Sequence, residues 1–178
     1  ISSDELIEVS GVSASGKTYF CLKMASLALL EKDIGVIYID TTNYVNNTNV
    51  SLIMRNFMSN VEQDEKTKRV QEVMSRLKVL KLHDLDQLIL LLAQLLSQLK
   101  NKTLNFNLRM IVIDSLSSLF SGIPLKHNQY YFSLVKELLY YLKSITKKYF
   151  ISVIYTNNTK DGGVSRVTEL KNLVGEPL

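Results

Sequence analysis

The sequence has little that could cross-link, anchor or export it. A single cysteine, Cys21, excludes an internal disulfide and fits a reducing compartment. Set on the first turns of an expected helix, it reads as a packed core thiol. The two histidines, His83 and His127, lie far apart with no cysteine or carboxylate pattern beside them, so a zinc site is not expected. Long apolar runs are missing as well. The greasiest stretch, LILLLAQLLSQL from Leu88 to Leu99, is broken by Gln94, Ser97 and Gln98 and is too short to span a bilayer. No membrane partner is expected. No signal peptide is visible, and a chain that opens on Ile1 rather than Met is expected to be a fragment or a trimmed product. Internal repeats and low-complexity linkers are absent.

What is present is ordinary for a globular chain. Its 178 residues suggest one domain with enough length to bury a core, and 46% hydrophobic with 21% charged residues exclude disorder over most of it. The net charge of +4 and pI of about 9.0 tolerate a polyanionic partner without requiring one.

Short β-branched runs alternate with longer helical patterns. Glu5 to Ser10, Gly35 to Asp40, Arg76 to Leu82, Arg109 to Ser115 and Phe150 to Asn157 read as strands. GVIYI and MIVI are continuously apolar, as parallel strands buried on both faces require. Helices are expected at Lys17 to Glu31, Asn49 to Met58, Asp64 to Ser75, Leu85 to Leu99 and Gln129 to Lys148, the last two carrying clear apolar stripes. The class is therefore α/β with a mostly parallel central sheet flanked by helices. Prominent loops are Thr41 to Asn49, Ser121 to Asn128 and the tail from Thr156 onward, and ligands in such folds gather beyond the strands' carboxyl ends.

One loop carries chemistry. GVSASGKT matches the P-loop pattern, with Gly11, then Val12, Ser13, Ala14 and Ser15, then Gly16, Lys17 and Thr18. The glycines let successive N–H groups turn into one concavity, at which the following helix aims its positive end. Lys17 would reach the β- and γ-phosphates and Thr18 would offer its hydroxyl to Mg2+. The pattern follows an expected strand and opens an expected helix, the context that separates it from a chance match. A second strand, MIVID, ends on Asp114, the placement of the aspartate that holds Mg2+ through water or the loop hydroxyl.

In their order, ELIEVSGVSASGKT, GVIYIDTT, RMIVIDSLSSL and FISVIYTNNTK resemble the P-loop NTPase core of the RecA/RadA recombinase superfamily. Within it the chain is similar to the eukaryotic recombinase paralogues, and most closely to the D-type one, from Glu5 to Pro177. The resemblance implies an ATP- and Mg2+-binding RecA-like core over residues 1–178, without the family's small N-terminal helical domain and without the last strands of the core. It implies two loops facing single-stranded DNA. By position these are Ser121 to Asn128 and Asn158 to Asn172, which makes Lys126, Lys160, Arg166 and Lys171 candidate phosphate contacts or, more plainly, solvated loop cations. It further implies other recombinase paralogues and the recombinase filament as partners, and a nuclear setting.

The chain departs from that pattern where turnover is decided. Active members carry a water-orienting glutamate just after the second strand, and Thr42 stands there, too weak a base at neutral pH; slow hydrolysis is the expectation. The glutamine that senses the γ-phosphate falls on Asn158, one methylene shorter. The first reading is thus an ATP-holding paralogue subunit that loads or stabilises recombinase filaments in homologous-recombination repair. A second is an active DNA-dependent ATPase and recombinase with Asp40 as substitute base, and a third a scaffold with a vestigial loop. A metabolic P-loop kinase is a distant fourth. Tyr130, Tyr131, Tyr140 and Tyr141 suit base stacking less well than a split between core and interface. Tyr19 and Tyr44 fall near the nucleotide with their contacts open, and EQDEKTKR (Glu62 to Arg69) reads as a solvated helix or loop.

Overall fold

The structure, a computed structural model, describes residues 4–57, 63–120 and 129–159. The five expected strands form as β1 (Leu6–Gly11), β2 (Gly35–Asp40), β3 (Leu77–Lys81), β4 (Leu108–Asp114) and β5 (Ser152–Asn158). All pair in parallel in one sheet of order β1-β5-β4-β2-β3. Between them run α1 (Lys17–Leu30), α2 (Asn47–Phe57), α3 (Gln63–Ser75), α4 (Leu85–Asn101) and α5 (Gln129–Tyr149).

The order follows from chain direction. From β1 the chain steps outward to β2 and β3, with α1, α2 and α3 on one face. It then returns to β4 and β5, with α4 and α5 on the other, as right-handed crossovers demand when the direction reverses. Every residue of β2 is buried, as its unbroken apolar run requires, while α4 and α5 pack their Leu85, Leu88, Leu92 and Val135, Leu139, Leu142 stripes together. Cys21 is fully buried in the apolar cluster that includes Leu22, Ala25 and Val112, so the thiol is core.

Three details differ from the sequence reading. The loop after β2 is shorter than Thr41 to Asn49, because Asn46 caps α2: its Oδ1 accepts from Asn49 N at 2.8 Å. The tail does not begin at Thr156. Thr156 and Asn157 are buried within β5, whose register against β1 runs on to Gly11 opposite Asn158. A 3-10 helix, Leu116–Phe120, follows β4 where no element was expected, and it buries Leu116, Leu119 and Phe120. The charged segment around Gln63–Ser75 is helical, with an exposed Glu65–Arg69 pair at 2.7 Å. Tyr130 and Tyr140 are exposed, and Tyr141 lies partly against the core, edge-on to Tyr140.

One side chain ties α1 to the sheet. The Arg76 guanidinium donates to the carbonyls of Leu29, Glu31 and Ile34 at 2.7–2.9 Å, satisfying acceptors left over at the helix C-terminus. This fixes the far end of the helix whose near end forms the site.

Candidate functional site

The carboxyl ends of β1, β2, β4 and β5 converge on one cleft of about 740 Å3, within the range of small-molecule sites. Its floor is the loop after β1. Gly16 takes φ +88, a left-handed conformation open to glycine, and Ala14 takes the same region at φ 62. A Cβ on Gly11 would meet Ser15 Oγ at 2.8 Å, so that hydroxyl would have to turn aside for any larger residue. No side chain caps the N-terminus of α1, which leaves its donors and the positive end of its dipole facing the cleft. These features fit a phosphate group. Ser13, Ala14, Ser15, Gly16, Lys17 and Thr18 all line the cleft; Gly11 and Val12 begin the loop behind it.

Lys17 Nζ donates to the carbonyls of Gly11 at 3.0 Å and Val12 at 2.7 Å, and to Ser15 Oγ at 3.4 Å. Its ammonium therefore rests on the loop that it would share with a ligand. Thr18 and Asp114 meet at the same cleft from α1 and β4. Asp114 is 2% exposed, and hydroxyls from both neighbouring strands hold it. Tyr38 Oη donates to Oδ2 at 2.9 Å and Thr156 Oγ1 to Oδ1 at 2.6 Å. Burial first, then the charge of Asp114, pushes the Tyr38 phenol well above its ordinary value, so it stays a donor. Burial, with Asp114 adding to it, pushes the Cys21 thiol up to about 12.

Asn158 lies on the cleft wall opposite Gly11, its backbone N–H donating to Ser117 Oγ at 3.0 Å. Thr42 forms the wall from β2, but its hydroxyl and backbone N–H both donate to Asp40 Oδ1, at 3.0 and 2.9 Å. The other oxygen of Asp40 accepts from Val45 N at 2.9 Å. Asp40 is fully buried and does not line the cleft, which leaves it badly placed to serve as the substitute base. Tyr19 and Tyr44, with Asn49 and Asn56 of α2, extend the cleft away from the loop, giving room for more than phosphate. The sequence reading missed Tyr38, Thr156, Asn49 and Asn56; alternation on β2 put Tyr38 on the face of Asp40, but only the register of β2 against β4 brings it to Asp114.

Among the described residues no cluster of His, Cys, Asp and Glu could by itself hold a metal ion, and His83 is exposed. No described helix is long and apolar enough to cross a membrane. The candidate DNA contacts Lys126, Lys160, Arg166 and Lys171 lie outside the described residues, as does His127.

Sheet order, loop and strand-end aspartate together define a RecA-like P-loop core. The chain is similar to the DNA repair and recombination protein RadA of Methanoculleus marisnigri, with 32% identity over 127 residues, 67% of this chain. This similarity supports the RecA/RadA superfamily, at the level of the superfamily and not of the eukaryotic D-type paralogue. The chain spans 38% of the length of that relative. No family model matches the chain.

Proposed function

We propose that this chain is an ATP–Mg2+-binding subunit of the recombinase-paralogue kind, acting in homologous-recombination repair and turning ATP over slowly. One observation carries the reading: the only carboxylate lining the cleft among the described residues is Asp114, and the wall position of a water-orienting glutamate holds Thr42. A cleft that can cradle phosphates, and among the described residues offers no free base, favours keeping a nucleotide over consuming it.

In this reading the backbone of Gly11 to Gly16 and Lys17 hold the phosphates, with Asn158 facing the γ-phosphate. Thr18 and Asp114 hold Mg2+, which offsets phosphate charge when bound. The superfamily relationship supports work in recombination on DNA with a recombinase filament; other paralogues as partners are part of the proposal. The D-type identity, the phosphate contacts of Lys126, Lys160, Arg166 and Lys171, and a nuclear setting belong to the same proposal. Bound nucleotide would then order loops and subunit contacts by mass action.

The test is to incubate the protein with labelled ATP and Mg2+, with and without single-stranded DNA, re-isolate it, and identify the bound nucleotide over time. Retained ATP is expected. Rapid conversion to ADP would overturn the slow-turnover reading, and a failure to bind at all would leave the loop as architecture.

A further inference from the structure

We propose that Tyr38 and Thr156 are positioning residues: their hydroxyls fix the carboxylate of Asp114 so that it presents itself to a divalent cation in the cleft. The inference rests on the reading of the cleft as a nucleotide–metal site and names what tunes it.

Packing does not explain the Tyr38 hydroxyl. The ring is fully buried in the apolar cluster with Cys21, Val36 and Val112, where a phenylalanine would fill the same space. The hydroxyl adds a polar atom to that cluster, and it reaches Asp114 Oδ2 at 2.9 Å. Thr156, also fully buried, does the same for Oδ1 from the opposite side. Two strands flanking β4 therefore each contribute one neutral donor to one carboxylate.

The choice of neutral donors carries the argument. A buried carboxylate needs partners, and a lysine or arginine would satisfy it most strongly. A cation there would also cancel the charge that attracts a metal. Among the described residues no ion pair reaches Asp114. Hydroxyls pin both oxygens without neutralising them, and each oxygen keeps a second lone pair. Outer partners of this kind are worth about 10–100-fold in metal affinity.

The experiment measures retention of a fluorescent ATP analogue as Mg2+ is titrated, alongside its affinity in the absence of metal. Tyr38→Phe should need about tenfold more Mg2+ for half-maximal retention, with metal-free affinity within about twofold of the parent. Thr156→Val should shift in the same direction, while Thr156→Ser, which keeps the hydroxyl, should restore the parent value. An unchanged Mg2+ requirement in both hydroxyl-less variants would overturn the proposal. So would an equal loss of affinity with and without metal, since that marks a purely structural role. If Tyr38→Phe does not fold, the Val and Ser variants at Thr156 decide. A parent protein that binds the analogue without any Mg2+ dependence would instead refute the metal site, and this inference with it.

Discussion

Asp40 and Asp114 stand side by side in register at the ends of β2 and β4, both buried, both preceded by β-branched apolar runs. Sequence marks Asp114 as the metal aspartate and Asp40 as no more than a substitute base, and the structure shows what physically divides them. Asp40 spends its oxygens on the loop that follows it, accepting from Thr42 N, Thr42 Oγ1 and Val45 N. Asp114 is held from behind by hydroxyls and reaches the cleft. The same residue, buried alike, is a brace in one strand and a candidate ligand in the next. What separates them is where their donors come from: the local chain for Asp40, neighbouring strands for Asp114.

Substitution should divide the two. Asp40→Ala strips the acceptor from three donors and should cost about 3 kcal/mol of folding stability, read as a lowered urea midpoint. Asp114→Asn should cost only about 1 kcal/mol, because one hydroxyl can go on donating to the amide oxygen while the other turns to accept from the new NH2. Its loss should appear in the cleft, as a requirement for Mg2+ in nucleotide retention raised about a hundredfold. The comparison breaks if Asp114→Asn unfolds as readily as Asp40→Ala while leaving the metal titration unmoved.

Most of this frame was legible in the residues. Alternating strand and helix patterns, the loop from Gly11 to Thr18 and the strand-end Asp114 are local signals, and the structure brings them to one cleft. What escaped was the work of residues defined by pairing. Tyr38 and Asp114 are 76 positions apart, and Thr156 and Asp114 42 apart, so their contacts exist only once register is set. Asp40 reads as a rival base because sequence shows nearness along the chain, whereas its use depends on the turn through Val45. The 3-10 helix was hidden for another reason: LSSLF is too short to show a period, and the helix hangs on hydroxyls, Ser118 Oγ donating to Ser115 O at 2.7 Å.

A smaller effect sharpens the contrast at Thr42, whose hydroxyl belongs to the Asp40 brace while its position faces the cleft. Thr42→Glu places a carboxylate on the cleft wall but gives up the hydroxyl's hydrogen bond to Asp40. Turnover of labelled ATP should rise about tenfold, below the roughly 10²–10⁴-fold that a well-placed general base contributes. An unchanged rate, with ATP still bound, would mean that water orientation is not what limits this site.

The smallest effect reports on the reach of the two charges. Burial, and then the charge of Asp114, raises the Cys21 thiol from 9.0 to about 12; Asp40 has no part in it. A folded-state value above the unfolded one means that the folded protein holds the proton longer. The contribution of Cys21 is therefore fully present below about pH 9 and is lost as pH climbs toward 12, at no more than about 1.4 kcal/mol per pH unit. Tyr38 and Tyr155 are raised too, by burial first and then by the charges of Asp114 and Glu8, but their ordinary value is 10.0, so their loss starts later. Between about pH 9 and 10 the stability gap between the parent and Cys21→Ala, measured by urea unfolding, should narrow by up to about 1 kcal/mol. A gap that stays constant would show that the thiol is not held protonated. Alkylation of the folded protein then separates the carboxylates: removing the charge in Asp114→Asn should let Cys21 react at a lower pH, and Asp40→Ala, once its lower stability is allowed for, should not.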